Sequence, residues 1–369
     1  MNPMITSPIT ATRPLILLCR ETFEQALLEE VRAKLNAQQR DTTTRLTVEA
    51  GQGLVKISGT TRPVTDTLPS AFIFERQRLN QAVWLENLPL KRLAREIAVR
   101  LLPDISRSHL PWSLHTFAAN PDSDQPLTRR AANLRDIFLE FCAQRFTVVV
   151  KRYRPPERAA TQPPLLVLQL CLAPQGLWGS VMPLSQLTDP CPGGIHRMHF
   201  DPQAPSRSYL KIEEVFERMG QMPKSRQRVV DLGAAPGGWS YAFLKRGCQV
   251  LAVDHGPMKL KSHGDAGGRL VHLRENGISF RPPADQPPVD WLVSDMLIPP
   301  GKTLGMIRKW LEEPLTRRFV FNVKLPQQHP YPVLKPIEDY LRRIPGLRFQ
   351  MRQLYHDRRE ITVFGVREE

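Results

Sequence analysis

The sequence predicts an α/β chain whose C-terminal half is a mostly parallel sheet covered on both faces, preceded by smaller α+β units. Three observations predict it. Four apolar runs, VVDLG (229–233), VLAVD (250–254), WLVSD (291–295) and FVFNVK (319–324), each end in a polar group and are separated by helical stretches. A proline- and glycine-rich stretch, PCPGGIHRMHFDPQAP (190–205), separates this region from the first half and reads as a linker. The length, 369 residues, exceeds one typical domain.

Taken in order, residues 1–13 carry no charged-then-apolar signal layout and are expected to be a disordered tail. RPLILLC (13–19) is a buried-strand candidate. Thr22 and Gln25 have capping-box spacing, and Phe23, Leu27, Val31 and Leu35 recur along one helical face. GLVKISG (53–59) and SAFIFER (70–76) supply further strands, so a first α+β module is placed at 14–80. A second, 81–189, begins with a helix marked by Leu90, Leu93, Ile97 and Leu101, followed by the alternating strand WSLHTF (112–117). Leu134, Ile137, Phe138 and Phe141 mark its next helix, and LLVLQLCL (165–172) pairs with GLWGSVM (176–182) as a hairpin. Neither module carries clustered acids or histidines, so both read as binding or scaffold units. Residues 206–369 form the parallel-sheet domain.

Composition narrows the partners. The 51 basic residues against 36 acidic ones give a net charge of +15, which favours a polyanion whose phosphates release counterions on contact. No apolar run approaches the roughly 18–20 residues a membrane span needs. Five scattered cysteines without a C-x-x-C pair predict reduced thiols in the cytoplasm and no metal site. No exposed seam stands out, so a monomer is expected.

The chemistry is expected at the carboxyl ends of the strands, where such sheets bind ligands. Gly233 is followed by Ala234, Ala235, Pro236, Gly237 and Gly238, which is neither the G-x-G-x-x-G of a dinucleotide fold nor a P-loop. The bend suits a ligand with a carboxylate and a bulky uncharged body, such as S-adenosylmethionine. Asp254, about 20 residues on, stands where a carboxylate accepts ribose hydroxyls. Asp295 and Lys324 end two strands, Glu360 opens the late strand EITVFGV (360–366), and Lys211 lies in the helical SRSYLKIEEVFE (206–217). Two lysines held by two carboxylates could supply a base for a sugar hydroxyl, because a second lysine or partial burial makes an amine less basic. SDMLIPP is not the box expected of an amino-nitrogen methylase. Cys248 precedes a strand rather than ending one, which disfavours cysteine-dependent methylation of a base carbon.

SRSYLKIEE, DLGAAPGGWS, VDHGPM, WLVSDM, FNVKLP and RQLYHDRREITV, in this order, resemble the RlmM family. These are FtsJ-like, S-adenosylmethionine-dependent ribose 2'-O-methyltransferases of bacterial 23S ribosomal RNA. The resemblance spans about 190–369; PLILLCRETFE and the layout before it look like the family's ferredoxin-like and THUMP RNA-binding region. It implies a Rossmann-like methyltransferase sheet and a substrate that is a cytidine of 23S ribosomal RNA or of its assembly precursor. It places the family's K-D-K-E tetrad on Lys211, Asp295, Lys324 and Glu360, with Lys324 as proton acceptor. It places the cofactor contacts on Ser208, Ala235, Pro236, Gly237, Gly238, Asp254, Asn276 and Asp295. Ala235 replaces a common cysteine, and Asn276 an aspartate whose adenine contact an amide oxygen can make. A transfer-RNA substrate and a non-catalytic RNA-binding assembly factor are the competing readings.

Overall fold

The computed structural model describes residues 13–38, 46–59, 71–159, 164–260, 264, 267–283 and 285–368. The chain divides into two compact units, Met1–Ile195 and His196–Glu369. The expected tail falls, at residues 1–12, outside the described residues.

The first unit holds two four-stranded sheets. One is built from β1 (Leu15–Leu18), β2 (Leu46–Gly51), β3 (Leu54–Gly59) and β4 (Gln77–Leu79) in the order β2-β3-β1-β4, with the helix α1 (Glu24–Gln38) between β1 and β2. The other is built from β5 (Val83–Glu86), β6 (Trp112–Ala118), β7 (Leu166–Ala173) and β8 (Gly176–Pro183) in the order β5-β8-β7-β6. Its helices are α2 (Leu90–Ser106), α3 (Gln125–Arg145) and the single turns α4 (Thr147–Val150) and α5 (Pro156–Ala159). Leu93, Ile97 and Leu101 of α2 and Leu134 and Phe138 of α3 are buried in one cluster with Leu168 and Leu170 of β7, as their helical spacing requires.

Two local expectations fail for identifiable reasons. The described part of SAFIFER, residues 71–76, is not a strand. The buried Glu30 carboxylate accepts from the amides of Ile73 (2.8 Å) and Phe74 (3.2 Å), and Glu75 accepts from that of Phe72 (3.0 Å). Those amides are therefore not available to a β-ladder, and pairing begins only at Gln77. The capping box at Thr22 is absent too. Thr22 has a left-handed φ of 72° and α1 starts at Glu24, so Thr22 is a turn residue before the helix.

The second unit is a seven-stranded sheet. Its elements are α6 (Tyr209–Met219), β9 (Arg228–Leu232), α7 (Gly238–Leu244), β10 (Gln249–Val253), β11 (Arg269–Leu273) and β12 (Val289–Ser294). They are followed by α8 (Pro300–Glu312), β13 (Thr316–Lys324), α9 (Lys335–Arg342), β14 (Leu347–Arg352) and β15 (Glu360–Arg367). The order is β11-β10-β9-β12-β13-β15-β14, parallel except for β15, which runs antiparallel to both its neighbours. From β9 the chain steps outward to β10 and β11, then returns to β12 on the other side of β9. That reversal opens a crevice at the carboxyl ends of β9 and β12. Among the described residues no helix is long and apolar enough to cross a membrane.

One face of the sheet is sealed by α6 and α7 through an aromatic knot. Phe216, Phe243 and Trp291 meet edge-on or tilted, with ring centroids 5.2–5.6 Å apart, and all three are buried. Because this knot fixes the two helices that carry Lys211 and Gly238, Phe243→Ala should cost about 3–5 kcal/mol. Urea unfolding monitored by tryptophan fluorescence measures it; a loss below about 1 kcal/mol would contradict the packing described.

Candidate active site

The register of β13 and β15 places Lys324 directly opposite Glu360. β12 lies on the other flank of β13, and Asp295 follows its last residue, Ser294. Lys211 enters from the first turn of α6. Each lysine bonds both carboxylates. Lys324 Nζ donates to Asp295 Oδ1 (2.5 Å) and Glu360 Oε2 (2.7 Å). Lys211 Nζ donates to Asp295 Oδ2 (3.2 Å) and Glu360 Oε1 (2.5 Å). The result is a closed ring of alternating charge, with side chains only 10–19% exposed. All four tetrad residues expected from the sequence are thus together.

Such a ring is stable only while it is charge-balanced. Burial alone would raise the Glu360 carboxyl, but Lys211 and Lys324 override it and hold it down at about 2. At Lys211 burial pulls toward the neutral amine, and Asp295 and Glu360 overcome it, so its amine is more basic than usual. Lys211 thus faces two carboxylates, the arrangement expected of a pair of lysines held by a pair of acids.

The glycine turn lies between β9 and α7. Gly233 (φ 76°) and Gly237 (φ 111°) adopt backbone conformations that side chains resist, and a Cβ on Gly233 would sit 2.2 Å from Met296 Cγ. Gly238 is as tightly enclosed: a Cβ there would lie 2.2 Å from Ser208 Oγ and 2.3 Å from Ser206 Oγ. Ser208 is held by Trp239 Nε1, which donates to its carbonyl (3.0 Å). Asp254 braces the turn, its Oδ2 accepting from Ala235 N (3.0 Å) and its Oδ1 from Gly256 N (2.7 Å). Each oxygen keeps a further lone pair for a hydroxyl. Asn276 folds into its own turn, its Oδ1 accepting from Ile278 N (2.9 Å). Gly277 beside it would place a Cβ 3.4 Å from Gly233 N, so this segment lines the same turn. Ser208, Asp254 and Asn276 therefore gather at or beside the turn Ala235-Pro236-Gly237-Gly238, and Asp295 follows the end of β12: a turn poor in side chains, a carboxylate at a strand end and an amide beside it. That donor set fits an amino-acid head and a ribosyl body.

Four residues near the site carry no obvious sequence signal. Asp231, in the interior of β9, is buried; burial raises its carboxyl to about 7, while Ser240 Oγ donates to it (2.7 Å) and opposes the rise. Asn322, Asp357 and Thr362 are buried beside the tetrad. The only hints are polar residues inside the apolar VVDLG and FVFNV. Cys248 is core as expected, its thiol pushed up to about 11 by burial, which makes it inert as a nucleophile.

Residues 204–317 match the model of the FtsJ-like methyltransferase family. The chain is 34% identical over 360 residues to the ribosomal RNA large subunit methyltransferase M of Halorhodospira halophila, covering 95% of this chain and 96% of that one. The chain belongs to this family. A second member, from Laribacter hongkongensis, is 45% identical over 192 residues, covering 48% of this chain and 52% of its own. FtsJ-like methyltransferases use S-adenosylmethionine, and the crevice fits it.

The folded value of Glu360 lies below the ordinary 4.5, so the ring contributes stability above that pH and loses it as the pH falls from 4.5 toward 2. The stability advantage of the wild type over Glu360→Gln should be full near neutrality and shrink across that window in urea titrations. A difference constant with pH would contradict the charge assignment.

Proposed function

We propose that the chain transfers the methyl group of S-adenosylmethionine to the ribose 2'-hydroxyl of a cytidine in 23S ribosomal RNA, with Lys324 as proton acceptor. The closed Lys211–Asp295–Lys324–Glu360 ring carries this reading. The resemblance of the sequence to ribose methyltransferases, the name of its relatives and the net charge of +15 support the RNA.

Ser208, the turn Ala235-Pro236-Gly237-Gly238, Asp254, Asn276 and Asp295 would hold the cofactor, with Asp254 accepting ribose hydroxyls. S-adenosylmethionine supplies, when bound, a methyl group that is already activated, which leaves the protein the work of positioning and deprotonation. With Lys324 neutral, the ring has one cation against two buried anions. In the balanced ring Lys324 already carries its proton, so that proton first leaves to solvent; taking the 2'-hydroxyl proton onto Nζ then restores two against two. Lys211, held strongly cationic, keeps Asp295 and Glu360 oriented through the transfer. Residues 14–80 and 81–189 serve as ferredoxin-like and THUMP-like modules that grip the RNA through phosphate and shape. The enzyme acts as a cytoplasmic monomer on 23S ribosomal RNA or its assembly precursor.

Lys324→Ala should lower methyl transfer to 23S ribosomal RNA by about two to four orders of magnitude, the contribution of a positioned general base. Cofactor affinity measured by calorimetry should stay near wild type. Wild-type turnover in this variant would exclude Lys324 as the base.

A further inference from the structure

Beside the tetrad runs a second polar chain that the mechanism above does not use. Asn322 and Lys324 are two residues apart on β13 and share a face; Thr362 and Glu360 oppose them on β15 in register. Asn322 is 2% exposed, and Thr362 and Asp357 are fully buried. Asn322 Nδ2 lies 2.6 Å from Asp295 Oδ1, the oxygen that also accepts from Lys324. Asn322 Oδ1 lies 2.7 Å from Thr362 Oγ1, and Thr362 Oγ1 lies 3.1 Å from Asp357 Oδ1 and 3.0 Å from Oδ2.

Counting protons orders this chain. The Asn322 amide must direct its N–H at the Asp295 carboxylate, since the flipped amide would oppose two acceptors. Its carbonyl oxygen then takes the single hydroxyl proton of Thr362. Thr362 Oγ1 has no proton left for Asp357, so their contact is a hydrogen bond only if Asp357 carries one. Leu354 N donates to Asp357 Oδ2 (2.9 Å), so the carboxyl is also held from the backbone.

We propose that Asp357 is a neutral acid that donates to Thr362, and that the chain Asp357–Thr362–Asn322 is a positioning device for Asp295. Burial drives the Asp357 carboxyl well above the usual carboxylate range; Lys211 opposes this, while Glu360 and Glu214 add to it. The device matters because Asn322 holds Asp295 Oδ1 whether or not Lys324 is protonated. The carboxylate therefore keeps its orientation across the turnover, when its bond from Lys324 is interrupted. This rests on the reading of Lys324 as base.

Two isosteric series on the full-length protein test it. Thr362→Val removes the hydroxyl and should lower kcat about tenfold while KM for RNA and cofactor affinity stay unchanged. Thr362→Ser should recover most of the loss. Asp357→Asn retains an N–H for Thr362 and an oxygen for Leu354 N, so it should be much faster than Asp357→Leu. Infrared difference spectra of wild type against Asp357→Asn should show the carbonyl band of a buried neutral carboxylic acid, independent of activity. Wild-type kcat in Thr362→Val, Asp357→Asn as slow as Asp357→Leu, or a missing carboxylic-acid band would each overturn the proposal. Lys324→Ala, assayed alongside, separates the two ideas. Full activity there removes the base assignment, while the infrared band still decides the state of Asp357.

Discussion

The site depends on one interaction: two lysines and two carboxylates closed into a ring at the end of a sheet. Four charges so poorly exposed would be costly singly or in any unequal number. Each member is therefore tied to the others by charge balance as well as by hydrogen bonds. Removing one leaves an uncompensated charge, and moving one breaks two bonds. This constraint explains why the four come from four separate elements, α6, β13, β15 and the end of β12, yet converge at hydrogen-bonding distance. It also sets the condition for any proton transfer at the ring: Lys324 must first give up a proton, and taking one back restores the balanced state.

The sheet supplies the scaffold that makes this convergence possible. Parallel strands β12 and β13 bring Asp295 and Lys324 to the same edge, and antiparallel β15 starts at that edge rather than ending there, so its first residue, Glu360, arrives opposite Lys324. The crossover from β11 back to β12 opens the crevice in which the glycine turn lies. Asp254 links the two functions of that crevice. It fixes the turn through Ala235 N and Gly256 N and still offers lone pairs outward. Met296 against Gly233, and Ser206 and Ser208 against Gly238, leave no room for a methyl group at either glycine, so the shape of the crevice rests on their missing side chains.

How much of this was legible in the sequence varied with the range of the interaction. Apolar runs ending in polar residues announced β9, β10, β12 and β13, because strand burial and strand-end chemistry are both local. The tetrad was legible through its motifs and their order. SAFIFER misled because its apolar character comes from burial alone; what took its amides was Glu30, more than forty residues away in sequence. Asn322, Thr362 and Asp357 were silent for the same reason. An asparagine in FVFNVK or a threonine in EITV is ordinary strand composition. Only the register of β13 with β15 makes them neighbours.

The most direct test of the account is mass-spectrometric mapping of ribose methylation in 23S ribosomal RNA. Cells lacking the gene would be compared with cells complemented by the wild-type chain or by Lys324→Ala. The account predicts that one large-subunit cytidine loses its 2'-O-methyl group in the deletion, regains it with the wild-type chain and stays unmethylated with Lys324→Ala. An unchanged ribose-methylation map in the deletion, or full restoration by Lys324→Ala, would contradict it.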